Sequence, residues 1–61
     1  MARNTLRIGN VIRQYGRPGW YVIRDTKQTA RGLQYIVQPG TKPNDDAPVE
    51  GIYAQHIVGH A

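Results

Sequence analysis

Gly16-Arg17-Pro18-Gly19-Trp20-Tyr21-Val22-Ile23-Arg24 is the stretch that decides the fold. Its first four residues carry turn chemistry, with Pro presetting φ and Gly free to take conformations closed to other residues. The run behind them is aromatic and β-branched, which suits a pleated, half-buried surface. A turn followed at once by such a run reads as the start of a β-strand. The same grammar repeats outward. Upstream, Leu6 to Tyr15 is rich in Ile and Val. Downstream, the polar connection Thr26 to Gly32 has hairpin length and leads into Leu33-Gln34-Tyr35-Ile36-Val37-Gln38. Pro39 to Pro48 is the longest loop, with Gly40, Pro43, Asn44, Asp45 and Asp46, and is the segment expected to be most mobile. Glu50-Gly51-Ile52-Tyr53-Ala54 and Ile57-Val58 are short fourth and fifth strands, with Gln55-His56 as a single tight helical turn between them. No window of about 11 residues keeps apolar positions at helical spacing.

The chain has 61 residues, which makes one domain spanning 1–61. A chain this short buries only about 60% of the surface that its unfolded form exposes, so its stability is marginal. It has no Cys, which excludes disulfides and thiolate zinc sites as reinforcement. An efficient single core or assembly with copies of itself remains. Apolar residues make up 39% and charged residues 20%, a balance that a disordered polycation does not have. No apolar run approaches the roughly 20 residues of a membrane span, and no membrane partner is expected. The segment Met1-Ala2-Arg3-Asn4-Thr5-Leu6 lacks an apolar signal core, so the expected location is cytoplasmic. The initiating Met suggests a complete small gene product.

Five short strands joined in sequence order predict an all-β meander closed into a small barrel, since closure hides strand edges that would otherwise invite aggregation. A five-stranded SH3-like barrel is the natural form at this size. The tail Glu50 to Val58 resembles the ending of that fold: a strand, one short 3-10 turn and a short last strand. Gly9-Asn10-Val11 followed by Gly19-Trp20-Tyr21-Val22-Ile23 resembles the start of a KOW-type or Tudor-type barrel. The resemblance concerns fold far more than function.

Alternation leaves the faces partly open. In the third strand Leu33, Tyr35 and Val37 form the expected core face. In the second, Tyr21 and Ile23 compete with Trp20 and Val22. Arg24 falls with one set and Asp25 with the other, so charge does not decide. In the first, Val11 aligns with Arg13 and Tyr15 while Leu6, Ile8 and Ile12 align with Asn10, and a bulge near Gly9 would reconcile the two sets.

Seven of the eight Lys and Arg side chains (Arg3, Arg7, Arg13, Arg17, Arg24, Lys27 and Arg31) lie in residues 1–31, opposed only by Asp25, for a net +6. Residues 32–61 hold Lys42 against Asp45, Asp46 and Glu50, a net −2. Such a chain is built to meet something negative, or its own acidic end. Arg13, Tyr15, Arg17, Trp20, Arg24, Lys27 and Arg31 mix cations with aromatics, and Tyr21 lies among them. Phosphates take mobile cations and unstacked bases take flat faces, so these seven are the candidate nucleic-acid-binding residues. Arg dominates over Lys, and its planar fork suits phosphate and stacking. The plain alternative is a solvated basic face around a core Trp20, which would anchor a core without any Phe.

Other chemistry is thinly supported. His56 and His60 are four apart, which suits a metal only on a helix, and Gly59 lies between them. Asn44-Asp45-Asp46 with Glu50 lacks the twelve-residue calcium pattern. There is no Cys or Ser nucleophile, and no glycine pattern marks a nucleotide loop. Gly51-Ile52-Tyr53-Ala54 is similar to the Gln-Ile-Tyr-Pro segment of plasmid-type type II dihydrofolate reductases, short barrels that build one active site across a tetramer. Gly51 and Ala54 replace its Gln and Pro, so no activity is carried over. The expectation is a barrel without catalysis or cofactor that binds DNA or RNA through phosphates. The alternative is a protein-interaction or inhibitor module that docks on an acidic protein surface or assembles with itself.

Overall fold

Turn residues cut the chain into strands too short to stand alone, and the strands gain stability by pairing in one sheet. The computed structural model describes residues 6–60; Arg3 lies outside them. The strands are β1 (Val11–Gln14), β2 (Tyr21–Thr29), β3 (Gly32–Pro39), β4 (Glu50–Tyr53) and β5 (Ile57–His60), with a 3-10 turn at Ala54–His56 ahead of β5. They form a single antiparallel sheet in the order β4-β3-β2-β1-β5. The first strand starts later than its composition suggests. Arg7 to Asn10 form a turn instead, in which the Asn10 amide donates to the Arg7 carbonyl at 3.0 Å and the Arg7 amide to Asn10 Oδ1 at 2.8 Å.

The sheet is all-β as expected, but it is not closed into a barrel. No ladder joins β4 to β5. Each is four residues long, and the three-residue 3-10 turn carries the chain from one edge of the sheet to the other instead of folding it back as a hairpin. The sheet nevertheless curls far enough for its edge strand β4 to reach the end of β1. Gln14 at the end of β1 donates through Nε2 to Glu50 Oε2 at the start of β4, at 3.0 Å. This side-chain clasp joins the edge strand β4 to the inner strand β1.

The core lies on the concave face: Ile12, Tyr21, Ile23, Tyr35, Val37 and Ile52, with Leu6 and Ile57 packed at its margin. Of the expected set in β3, Tyr35 and Val37 are buried while Leu33 is exposed, because the outer half of the β2–β3 hairpin extends beyond the core. A β-bulge settles the competition in β2. Ile23 pairs with Val37, but Asp25, not Arg24, pairs with Ile36. The extra residue turns Asp25 to the same side as Arg24, away from the core face that strict alternation would give it. Tyr21 and Ile23 can then be buried without burying a carboxylate.

The opposite face is partly buried as well. Val22 and Gln38 are opposite one another in the β2–β3 ladder, and both are fully buried. The Gln38 amide uses all of its hydrogen-bonding capacity. Nε2 donates to the Asn44 carbonyl at 2.8 Å and to the Ala47 carbonyl at 3.3 Å. Oε1 accepts from the Asn44 amide at 2.7 Å and from the Arg24 guanidinium at 2.8 Å. The long loop after β3 is therefore fastened to the sheet at Asn44 and Ala47 and is not a free span. Among the described residues, no buried side-chain nitrogen or oxygen lacks a partner.

Two outcomes follow from this packing. Tyr35→Ala should destabilise by about 3–5 kcal/mol, as large-to-small aromatic core changes do, and a melting temperature within a few degrees of the parent would contradict its core role. Gln38→Ala should cost about 1–3 kcal/mol and speed hydrogen exchange at the Asn44 amide, because the partners of a buried amide are left unpaired. An Asn44 amide exchanging at the parent rate would show that the loop is held some other way.

A candidate binding groove at the β1–β2 turn

The connection from Tyr15 to Trp20 reverses the chain over a few residues. Gly16 and Gly19 take φ of 75° and 85°, which side chains with a Cβ rarely adopt. The Arg17 amide donates to the Gln14 carbonyl at 3.3 Å to close the turn. The Tyr15 amide donates to the His56 carbonyl at 2.8 Å, and the Gly40 amide to the Trp20 carbonyl at 2.8 Å, so both ends of the turn are tied to neighbouring elements.

Beside this turn lies an open groove of about 650 Å³, lined by Arg13, Gln14, Tyr15, Arg17, Trp20 and, from β5, Val58. Tyr15 is 78% exposed and Trp20 39% exposed. Both present aromatic surface that the core does not use. The Arg13 guanidinium carbon lies over the Trp20 ring, 5.4 Å from its centroid, and that of Arg17 lies 5.2 Å from the Tyr21 centroid. Both distances fall within cation–π range. Arg17 also pairs with Glu50, whose Oε2 is the same oxygen that accepts from Gln14.

Four of the seven candidate residues thus share one groove: Arg13, Tyr15, Arg17 and Trp20. The other three lie elsewhere. Arg24 is turned to the second face of the sheet, donating to Gln38 Oε1 and, at 2.8 Å, to Asp45 Oδ1. Lys27 is exposed six residues beyond Tyr21 in β2, roughly 20 Å along the strand at the usual rise. Arg31 is exposed in the two-residue loop between Thr29 and Gly32, where its amide donates to Thr29 Oγ1 at 3.2 Å. Val58 and His60, which also borders the groove, are missing from the sequence-based set. Their place depends on β5 pairing with β1, and the pairing of Arg13 with Gly59 is the contact that brings them there.

Among the described residues, no three His, Asp or Glu side chains converge on a point that could hold a metal ion. Nor, among them, is any helix long and apolar enough to cross a membrane. The chain matches no protein-family model, no curated protein and no solved structure.

Because Trp20 lies outside the core cluster, Trp20→Ala should leave the domain folded, with a cooperative melt and an unchanged β-type circular dichroism spectrum. Loss of the folded signal would make Trp20 an anchor of the structure and leave Tyr15 as the groove's main exposed ring.

Proposed function

We propose that this chain is a non-catalytic binding module that takes single-stranded DNA or RNA into the groove beside the β1–β2 turn. The observation that carries the reading is the juxtaposition of exposed Tyr15 and Trp20 with Arg13 and Arg17 in one groove. Flat rings stack on unpaired bases whatever their identity, and guanidinium groups grip the phosphates between them. A single strand suits a groove of this kind, because its bases are free to splay onto the rings. Arg24 is excluded from the contact set, since it is committed to Gln38 and Asp45. Lys27 and Arg31 serve at most as distant charge that steers a polyanion. The return of β5 to β1 after the 3-10 turn also supports reading the sheet as an SH3-like or Tudor-like barrel left open between β4 and β5.

One observation favours the second reading, docking on an acidic protein surface. Glu50 and Asp45 already neutralise Arg17 and Arg24, so the unpaired positive patch at the groove is small. A small basic patch beside apolar surface such as Val58 is also a form that protein interfaces take.

Titration with single-stranded oligonucleotides separates the two. Trp20 fluorescence should change on binding, and Tyr15→Ala should weaken affinity by about 1–3 kcal/mol, the worth of one stacked base. With Arg13 and Arg17 as the groove's phosphate contacts, the slope of log K against log salt should lie between about −0.7 and −1.4 for a single strand, and Arg13→Ala should flatten it by about 0.7. No response to any single-stranded DNA or RNA at low salt, together with saturable binding to an acidic peptide, would sink the nucleic-acid reading in favour of the protein one.

A further inference from the structure

Arg17 lines the groove, yet its guanidinium is held by a carboxylate that does not. Glu50 sits at the start of β4, outside the groove, and draws Arg17 towards the clasp between β4 and the end of β1. Resting on the reading of the groove as a nucleic-acid site, we propose that Glu50 is an internal stand-in for a ligand phosphate. It holds Arg17 while the groove is empty and competes with the phosphodiester for it when a strand binds.

Three observations carry this. First, the pair is accessible: the Arg17 side chain is 47% exposed and that of Glu50 34% exposed, so the ion pair is screened and cheap to exchange. Second, Arg17 can leave without opening the clasp. Glu50 Oε2 keeps its hydrogen bond from Gln14, a nearly buried side chain that fixes the carboxylate independently of Arg17. Third, Arg17 itself lines the groove while its guanidinium rests over the neighbouring, buried Tyr21 ring, so a change of partner needs only a swing of the fork from that ring into the groove. A phosphate offers the same paired acceptor geometry as a carboxylate, with more oxygens. Exchange at Arg17 is therefore close to balanced in the native chain. Arg17 adds little net affinity while Glu50 is charged, and the groove favours ligands whose phosphates can outcompete a carboxylate over neutral ligands that only stack.

Glu50→Gln isolates the effect, because the amide oxygen still accepts from Gln14 while the charge is gone. With a fluorescein-labelled oligothymidylate of about 10 nucleotides as the probe, Glu50→Gln should bind about two- to fivefold more tightly than the parent at low salt. Its salt slope should steepen by up to about 0.7, as Arg17 becomes a full single-strand phosphate contact. Arg17→Ala should cost the native chain less than about twofold, but should remove the whole gain in the Glu50→Gln background, the signature of coupled partners. Melting temperatures within a few degrees of the parent throughout would separate this from a merely structural clasp. A folded Glu50→Gln variant binding no better than a parent that does bind would overturn the proposal while leaving the groove's function standing. If neither protein binds the probe, the nucleic-acid reading fails and this inference with it. Should Glu50→Gln not fold, the native protein still decides. Saturation with the probe should shift the Arg17 Nε–H resonance, and an unmoved Arg17 signal alongside shifted Tyr15 and Trp20 signals would refute the exchange.

Discussion

The fully buried amide of Gln38 is the interaction on which the rest of this small structure leans. A single sheet has two faces, and a chain of 61 residues has side chains enough for only one well-filled core. Ile12, Tyr21, Ile23, Tyr35, Val37 and Ile52 fill the concave side. On the other side Val22 is sealed by polar chemistry. Gln38 reaches the backbone of the long loop at Asn44 and Ala47, and the loop comes down onto the sheet. A buried polar group is tolerable only when every donor and acceptor is paired, and here all four are. The fourth partner is Arg24, which ties the bulge in β2 to the same knot. The bulge in turn keeps Asp25 off the core face. Removing one amide therefore disturbs the loop, the bulge and a cation together.

The lopsided charge of the sequence is partly resolved inside the fold. The acidic second half supplies Asp45 to Arg24 and Glu50 to Arg17. These pairs add little stability, because at least one partner in each is substantially exposed. Their consequence is positional. Arg24 is turned away from the groove, Arg17 is held at its margin, and Arg13 is left over the Trp20 ring. A basic half that looks in sequence like one broad polyanion surface becomes a compact groove at one end of the sheet, with Lys27 and Arg31 set apart on the hairpin.

The strand pattern was legible because Gly and Pro punctuate the chain at strand spacing and the runs between them are β-branched and aromatic. The 3-10 turn before the last strand was legible because the polar pair Gln55-His56 separates two short β-type runs. Closure was not, since it depends on whether β4 and β5 come within ladder distance, and alternation within a strand says nothing of that. The bulge at Arg24 was hidden because both frames of β2 are apolar: Trp20 and Val22 compete evenly with Tyr21 and Ile23. Gln38 reads as an ordinary polar strand end, and its burial becomes visible only when the loop carrying Asn44 and Ala47 folds back over it. In the candidate site, Arg13, Tyr15, Arg17 and Trp20 flank one turn, so local spacing was enough to group them. Arg24, Lys27 and Arg31 were grouped by charge alone, and charge carries no direction along a strand. Val58 reaches the groove only through the pairing of β1 with β5.

The central claim is that recognition is confined to the groove and is not spread over the basic half. Backbone amide shifts followed by nuclear magnetic resonance during titration with a single-stranded oligonucleotide test it most directly. The account predicts perturbations concentrated at Arg13 to Trp20 and Val58 to His60, with Lys27 to Leu33 and Asn44 to Ala47 nearly still. Perturbations centred on the hairpin around Lys27 and Arg31, or spread evenly along both basic strands, would contradict it.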